Sequence, residues 1–353
     1  MGRVSRLRSN VAAAARLVRL DAWWYAKMPP LLAVFYAFLL VQTPPAGAAF
    51  VALGGVLFSM FSLFCFGYVV NDIFDVEQDR TAGRPNDMAQ RASWQRAGLC
   101  LLFGVSGFMP WLWLDLGRAA AILLAVNYLL PLAYSVPPLR LKERGFMGIA
   151  CDAVMVHALP TLFAAAVARN LVPEPAKASL RLAVVAAAWA LFHGMRGIVI
   201  HQLQDRESDG RAGVRTLATD RDPEKLRRLG CIFLLPLEVL ALAATAVILL
   251  PFTPLALLIM ILYTAFDIAR HVTWKMTFDP VPLAKGTYVP PADLNEVWLP
   301  LCLAAALAAR DLRFLPLPLL HVGLFFRDVA RRKYEIAALR TEARRRHLES
   351  LAR

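Results

Sequence analysis

The stretch GYVVNDIFDVEQDRTAGRP, residues 67–85, carries an apolar run directly into four acidic residues. Asp72, Asp75, Glu77 and Asp79 lie close enough in the chain to repel one another, so something must compensate them. Continued as a helix at about 100° per residue, the stretch puts Asn71, Asp72, Asp75 and Asp79 on one side and turns Glu77 away. It therefore predicts a spanning helix that runs on as a ridge of three carboxylates and an amide.

Composition agrees with a membrane setting. The 353 residues are 58% hydrophobic and their mean hydropathy is +0.52, above what a soluble domain of this length carries. Apolar runs fall at 29–43, 48–70, 97–115, 118–136, 147–168, 181–201, 229–250 and 252–268, with a last region at 298–327. That last region reads either as one helix or, turning at AARDLR (308–313), as a hairpin of two short ones. Arg3, Arg6, Arg8, Arg16 and Arg19 precede the first run, and the segments 71–96, 137–146, 202–228 and 269–297 all carry Lys or Arg. Positive residues mark the cytoplasmic side, so the expectation is an integral, multi-pass protein with a cytoplasmic N-terminus, placed in a bacterial inner membrane. The acidic stretch then faces the cytoplasm.

The net charge of +13 is explained by basic flanks and tails that meet anionic lipid headgroups, and nucleic-acid binding is not indicated. Cys65, Cys100, Cys151, Cys231 and Cys302 are scattered through apolar runs without paired spacing, which argues against disulfides and Cys-based metal sites. The expected organisation is a basic amphipathic segment at 1–28, one transmembrane domain at 29–327 and a basic tail at 328–353.

A second stretch, GIVIHQLQDRESDGRAGVRTLAT (197–219), repeats the pattern of the first. Asp205 and Asp209 share one helical side and Glu207 points the other way. Each ridge is followed by arginines, Arg80 and Arg84 after the first and Arg211 and Arg215 after the second. Two facing carboxylate ridges suit magnesium, which takes one or two carboxylates and leaves its other positions to water and phosphate oxygens. Nearby Arg or Lys would neutralise the remaining charge of a diphosphate. A third segment, YSVPPLRLKERG (134–145), adds Tyr134, Arg140, Lys142 and Arg144 on the same side.

Together the three segments resemble the UbiA superfamily of intramembrane prenyltransferases. Asn71, Asp72, Asp75 and Asp79 meet its NDxxDxxxD motif, Asp205 and Asp209 its DxxxD motif, and YSVPPLRLK its YSxPPxRLK loop; the resemblance covers roughly 25–270. GRPNDMAQ (83–90) departs from it, since Arg84 and Pro85 match but the residues after them do not. The resemblance implies an all-α bundle of about nine transmembrane helices with a cytoplasmic-facing polar cavity. It also implies Mg2+-dependent transfer of a prenyl group from an isoprenyl diphosphate to a hydrophobic or aromatic acceptor, such as an aromatic acid, a quinone precursor or a lipid. In that reading Asn71, Asp72, Asp75, Asp79, Asp205 and Asp209 hold metal, and the five aspartates are the catalytic set. Asn71, Arg84, Tyr134, Arg140, Lys142, Arg196 and Arg215 bind substrate.

Asp152 and His157 in the fifth apolar run, and His193, Arg196 and His201 in or near the sixth, are ionisable groups within spanning helices, where they are costly and often functional. An ideal helix turns Arg196 to the side opposite Asp205, and for His157 and His193 a packing role stands beside a functional one. Two other functions stay open at this point: transfer of another diphosphate-activated group, such as phosphoribosyl, to a polyprenyl phosphate, and a non-enzymatic transporter or assembly factor.

Overall fold

The computed structural model describes residues 3–285 and 287–351. Residues 1, 2, 286, 352 and 353 lie outside that description, and so do the ends of the segments expected at 1–28 and 328–353 and the side chains of Arg3, Arg6 and Arg8. The described residues form helices and no strands. In chain order these are α1 (Arg3–Leu17), α2 (Leu20–Gln42), α3 (Ala46–Thr81), α4 (Ser93–Ser106), α5 (Arg118–Ser135), α6 (Phe146–Arg169), α7 (Ala178–Arg211), α8 (Pro223–Leu249), α9 (Leu255–Trp274), α10 (294–310), α11 (Leu312–Leu324) and α12 (Phe326–Leu351). Seven of them, α2, α3 and α5 to α9, are long and apolar enough to cross a membrane. α4, α10 and α11 are shorter, so the expected bundle is present with fewer full-length spans than nine among the described residues.

The apolar region at 298–327 is a hairpin. Helix α10 ends at Arg310, the Asp311 side chain caps the following turn by accepting from the Arg313 N–H, and α11 packs back along α10. The hairpin returns the chain to the end from which α2 starts, because Arg327 Nη1 donates to Asp21 Oδ1 at 2.8 Å. The first turns of α12 belong to the bundle: Arg332 is buried and its Nη2 lies 2.8 Å from Asp293 Oδ1, while Arg270 Nη1 reaches Asp293 Oδ2 at 2.9 Å.

α2 is apolar on every side, and it is buried through most of its length against α6, α7 and α10. The outer helices present Leu101, Ile122, Leu129, Leu180, Phe233 and Ile261 outward, the pattern of a surface that faces lipid rather than water.

Two helices overshoot the membrane. α3 has 36 residues and α7 has 34; at 1.5 Å per residue each is roughly 50 Å long against a hydrocarbon core of about 30 Å. Their overhanging ends carry the two acidic motifs, and both stop in the same way. Gly83 and Gly213 adopt φ of +67° and +69°, a region that side chains with a Cβ rarely enter. The next N–H, from Arg84 or Val214, donates back to the carbonyl of Asp79 or Asp209 at 2.8 and 2.9 Å, which closes the helix end in a Schellman-like turn.

Prolines set a further local feature. Three π turns, Val154–Ala158, Gly230–Leu234 and Leu294–Trp298, stand directly before Leu159–Pro160, Leu235–Pro236 and Leu299–Pro300. Each proline lacks the N–H that an α turn would donate to Val156, Ile232 or Glu296, and its ring crowds that carbonyl, so the turn widens.

The deepest charges of the bundle join α7 to α8. Arg196 is 2% exposed and Glu238 0%; Arg196 Nε donates to Glu238 Oε2 at 2.6 Å and Nη2 to Oε1 at 3.2 Å. Removing one member leaves the other buried without its counter-charge, at about 3–5 kcal/mol. Glu238→Ala is therefore expected to unfold well below the wild-type midpoint in a thermal scan in detergent, and a Glu238→Leu, Arg196→Met double variant to recover most of the loss. An unchanged midpoint in the single variant would show that the pair carries no weight in the fold.

Candidate active site

The overhang of α3 meets that of α7 through Arg84, which follows the Gly83 turn. Arg84 Nη2 donates to Asp209 Oδ1 at 2.7 Å and to the Ser208 hydroxyl, and lies 3.9 Å from Asp205 Oδ2. Burial works against its charge, but Asp209, Asp205 and Asp79 outweigh that and hold its pKa above the ordinary value. One arginine thus holds the two acidic motifs to a single site. The helical phases are as expected, since Glu77 (73% exposed) and Glu207 (88%) point to solvent and pair with Arg80 and Arg211 on their own helices.

Each carboxylate of the ridges has a cation of this chain against it. Arg19 Nη2 is 2.8 Å from Asp72 Oδ1 and 3.6 Å from Asp79 Oδ2. Arg140 Nη2 is 3.1 Å from Asp75 Oδ1, and Lys142 Nζ donates to the same oxygen and to Asn71 Oδ1, the latter at 3.0 Å. Lys285 pairs with Asp205 from the segment between α9 and α10, and His201 Nε2 stands 3.6 Å from Asp205. Burial pushes the Lys142 ammonium below its ordinary pKa, with Asp75 opposing the shift. Arg19 and Arg140 both sit at positive φ, +47° and +37°, an uncommon conformation for a residue with a Cβ and one found more often at functional sites.

Below the ridges lies a cavity of about 580 Å³. α3 lines it with Leu63, Phe64, Gly67, Tyr68 and Asn71, and α7 lines it with His193, Gly194, Gly197, Ile198 and His201, to which α7 adds Arg196, Ile200 and Gln204. The five α3 residues pair with the first five α7 residues at one constant sequence interval, which also relates Asp75 to Asp205, Asp79 to Asp209 and Gly83 to Gly213. The two motifs therefore belong to a longer equivalence between α3 and α7 than their acidic residues alone suggest. Arg19, Lys27, Tyr134, Asp152 and Glu296 also border the cavity. At its deep end the His157 and His193 rings meet edge to face, centroids 5.4 Å apart, and His193 Nδ1 lies 2.9 Å from Glu238 Oε1.

The structure separates the expected residues into groups. Asn71, Asp72, Asp75, Asp79, Asp205, Asp209, Arg84, Arg140 and Lys142 come together at the mouth, and Tyr134 stands on the cavity wall. Arg196 borders the cavity deeper in, but its guanidinium is taken up by Glu238 and by the Pro280 carbonyl at 3.0 Å. Arg215 is 77% exposed and lies 3.5 Å from Asp220, away from the carboxylates. Four contributors escaped sequence reading: Arg19, Lys285, Gln78 and Asn86. Gln78 accepts from Arg140 at 2.7 Å and donates to Glu143. Asn86, in the departing stretch GRPNDMAQ, donates to Asp79 Oδ2 at 2.8 Å and to the Asp72 carbonyl at 2.9 Å. Its sequence signal was that departure itself.

Among the described residues no three His, Cys, Asp or Glu side chains converge as a metal cage. The donor set still fits magnesium, a hard cation that takes oxygen ligands, needs only one or two carboxylates and fills the rest of its shell with water and phosphate oxygens. Carboxylates from two helices, with Arg and Lys between them, supply that partial shell and the countercharge for a diphosphate.

A sequence profile of the UbiA prenyltransferase family matches residues 28–277. The chain is 29% identical over 166 residues to a lycopene elongase/hydratase of Haloferax volcanii, a match that covers 44% of this chain and 48% of that protein, so it spans about half of that relative's length. It is 27% identical over 232 residues to a lycopene elongase/hydratase of Corynebacterium glutamicum, covering 63% and 74%. The fold is similar to that of a UbiA homolog from Archaeoglobus fulgidus. Bound to GPP and Mg2+, that protein superposes with a TM-score of 0.58 at 17% identity over 86% of this chain and 98% of its own. Bound to DMAPP and Mg2+, it gives 0.58 at 16% over 83% and 98%.

Asn86→Leu removes the neutral donor to Asp79 and the tie between α3 and the loop after it. It should lower stability by about 1–3 kcal/mol, read as a lower thermal midpoint in detergent and faster proteolysis between residues 82 and 92. Glu77→Gln, on the solvent side of the same helix, should stay within about 0.5 kcal/mol of wild type. Equal losses from the two would contradict the helical phase.

Proposed function

The chain belongs to the UbiA prenyltransferase family, and on that footing we propose that it transfers a prenyl group from an isoprenyl diphosphate to a hydrophobic acceptor within the membrane. The observation that carries the proposal is the meeting of the α3 and α7 ridges around Arg84 at the mouth of an intramembrane cavity. In this reading Asn71, Asp72, Asp75, Asp79, Asp205 and Asp209 hold Mg2+, which when bound supplies positive charge against the departing diphosphate. Arg84, Arg140 and Lys142 contact the diphosphate directly, aided by Arg19 and Lys285. Arg196, engaged with Glu238, and Arg215, out on the surface, are better read as structural and peripheral.

The chemistry asks two things of the protein. Breaking the carbon–oxygen bond sends both electrons to the diphosphate, so charge must be met where it develops by groups already oriented for it. The arginines and lysines at the mouth meet that need, because the carboxylates hold them in place before the donor arrives. The allylic cation left behind must also be kept from water. Apolar lining residues such as Leu63, Phe64, Met155 and Ile198 surround the space in which it would form.

Lycopene is the acceptor to test first, since both similar proteins are named as lycopene elongase/hydratases. The purified protein supplied with DMAPP, Mg2+ and lycopene is expected to release diphosphate and form a prenylated polyene. Asp75→Ala should abolish both while the protein still elutes as a folded species in detergent, and Glu77→Gln should keep most of the activity. Wild-type turnover in Asp75→Ala would remove the metal-site assignment, and no diphosphate release by wild type would remove the transferase assignment.

A further inference from the structure

Asp152 stands in the second turn of α6 and borders the cavity. Among the described residues no hydrogen bond or ion pair reaches its carboxylate; Lys27 and the His201 imidazole face it across the space. This sets it apart from the carboxylates of the ridges and from Glu238. Every carboxylate of the two ridges has a cation in contact, and Glu238 has Arg196. Glu296 borders the cavity and, like Asp152, has no hydrogen bond or ion pair among the described residues, but its charged neighbours are Asp293, Asp328, Arg331 and Arg332 in the cluster that docks α12, away from the ridges. An intramembrane carboxylate with open access to a cavity and no partner is costly to keep unless it has work there.

Its height in the bundle fits that work. At Gly148 an added Cβ would stand 2.9 Å from the carbonyl oxygens of both Leu141 and Lys142, so the start of α6 is packed directly beneath the turn that presents Lys142 to Asp75. Asp152 is one helical turn further on, about 6 Å deeper. Across the cavity Lys27 is held by Tyr68, its Nζ donating to the phenol oxygen at 3.2 Å and lying 5.2 Å from the ring centroid. The π turn Val154–Ala158 that follows Asp152 turns Met155, Val156 and His157 toward the same space. A donor whose diphosphate sits among Arg84, Arg140 and Lys142 would place its reacting carbon at the level of Asp152.

We propose that Asp152 is the catalytic base that takes the proton released when the acceptor is prenylated, an inference that rests on the prenyl-transfer reading above. The carbon–oxygen bond of the donor breaks with both electrons going to diphosphate. The acceptor's double bond supplies the pair that forms the new carbon–carbon bond, which leaves a cation on the neighbouring acceptor carbon. The adjacent carbon–hydrogen bond then gives its electrons to form a new double bond, and its proton passes to an Asp152 carboxylate oxygen. No oxidant, reductant or further reactant is needed. The negative charge of Asp152 also stabilises each cation before the proton leaves.

The test compares wild type, Asp152→Asn and Asp152→Glu. It follows three readouts: binding of a non-hydrolysable DMAPP analogue with Mg2+, release of diphosphate, and formation of prenylated lycopene. Asp152→Asn is expected to bind the analogue within twofold of wild type. It should go on releasing diphosphate as water captures the cation, and form prenylated lycopene about 100-fold more slowly or worse. Asp152→Glu should recover part of the loss. A role in packing alone would lower binding and transfer together and would not uncouple diphosphate release from transfer, so that result overturns the assignment, as does wild-type transfer by Asp152→Asn. Wild type that releases no diphosphate overturns the functional reading itself, and this inference with it.

Discussion

Five carboxylates at one end of a membrane bundle repel one another, and the arrangement of the site follows from how that repulsion is met. The chain meets it with its own cations: Arg19 on Asp72 and Asp79, Arg140 and Lys142 on Asp75, Arg84 on Asp209 and Lys285 on Asp205. Those cations come from four places in the sequence, so compensation of the ridges also draws together the entry to α2, the loops after α3 and α5, and the segment between α9 and α10. A diphosphate with its metal brings the same two kinds of charge, anionic oxygens for the arginines and lysines and cations for the aspartates. The paired arrangement is therefore already organised for an exchange of partners, which limits the rearrangement that binding would need.

The fold holds this arrangement by means that are local and simple. Helices longer than the membrane carry their last turns, and the acidic residues on them, past the hydrocarbon boundary. Glycines at positive φ end both helices one turn beyond the last aspartate, and so leave Arg84 free to cross from one motif to the other. Prolines placed after Val156, Ile232 and Glu296 widen three helices, two of them where they border the cavity. The matching intervals along α3 and α7 give the two sides of the cavity the same geometry with different chemistry: Leu63, Tyr68 and Asn71 on one, His193, Ile198 and His201 on the other.

Much of this was legible in the sequence, and the reason lies in periodicity. Helical phase alone separates Asp72, Asp75 and Asp79 from Glu77, and Asp205 and Asp209 from Glu207, because a side chain's direction on a helix depends only on its spacing. The break at Asp311 was visible as a polar interruption in an apolar run. Contacts between distant segments were not legible. Arg19 reads as one of several flanking arginines, Lys285 as a loop lysine and Glu238 as an acidic residue in the seventh apolar run, until tertiary structure sets them against Asp72, Asp205 and Arg196. Arg196 illustrates the limit well: its phase away from Asp205 was clear from spacing, but the partner that takes up its charge lies on another helix.

Binding is the direct readout of whether the paired carboxylates and cations form a metal-dependent diphosphate site. A non-hydrolysable isoprenyl diphosphate analogue is titrated into purified protein with and without Mg2+, in wild type and in Asp72→Asn and Asp209→Asn. Tight binding to wild type that requires Mg2+ and is lost in both variants, one from each helix, is the expected result. Binding that is indifferent to Mg2+ and unchanged by either substitution would contradict it.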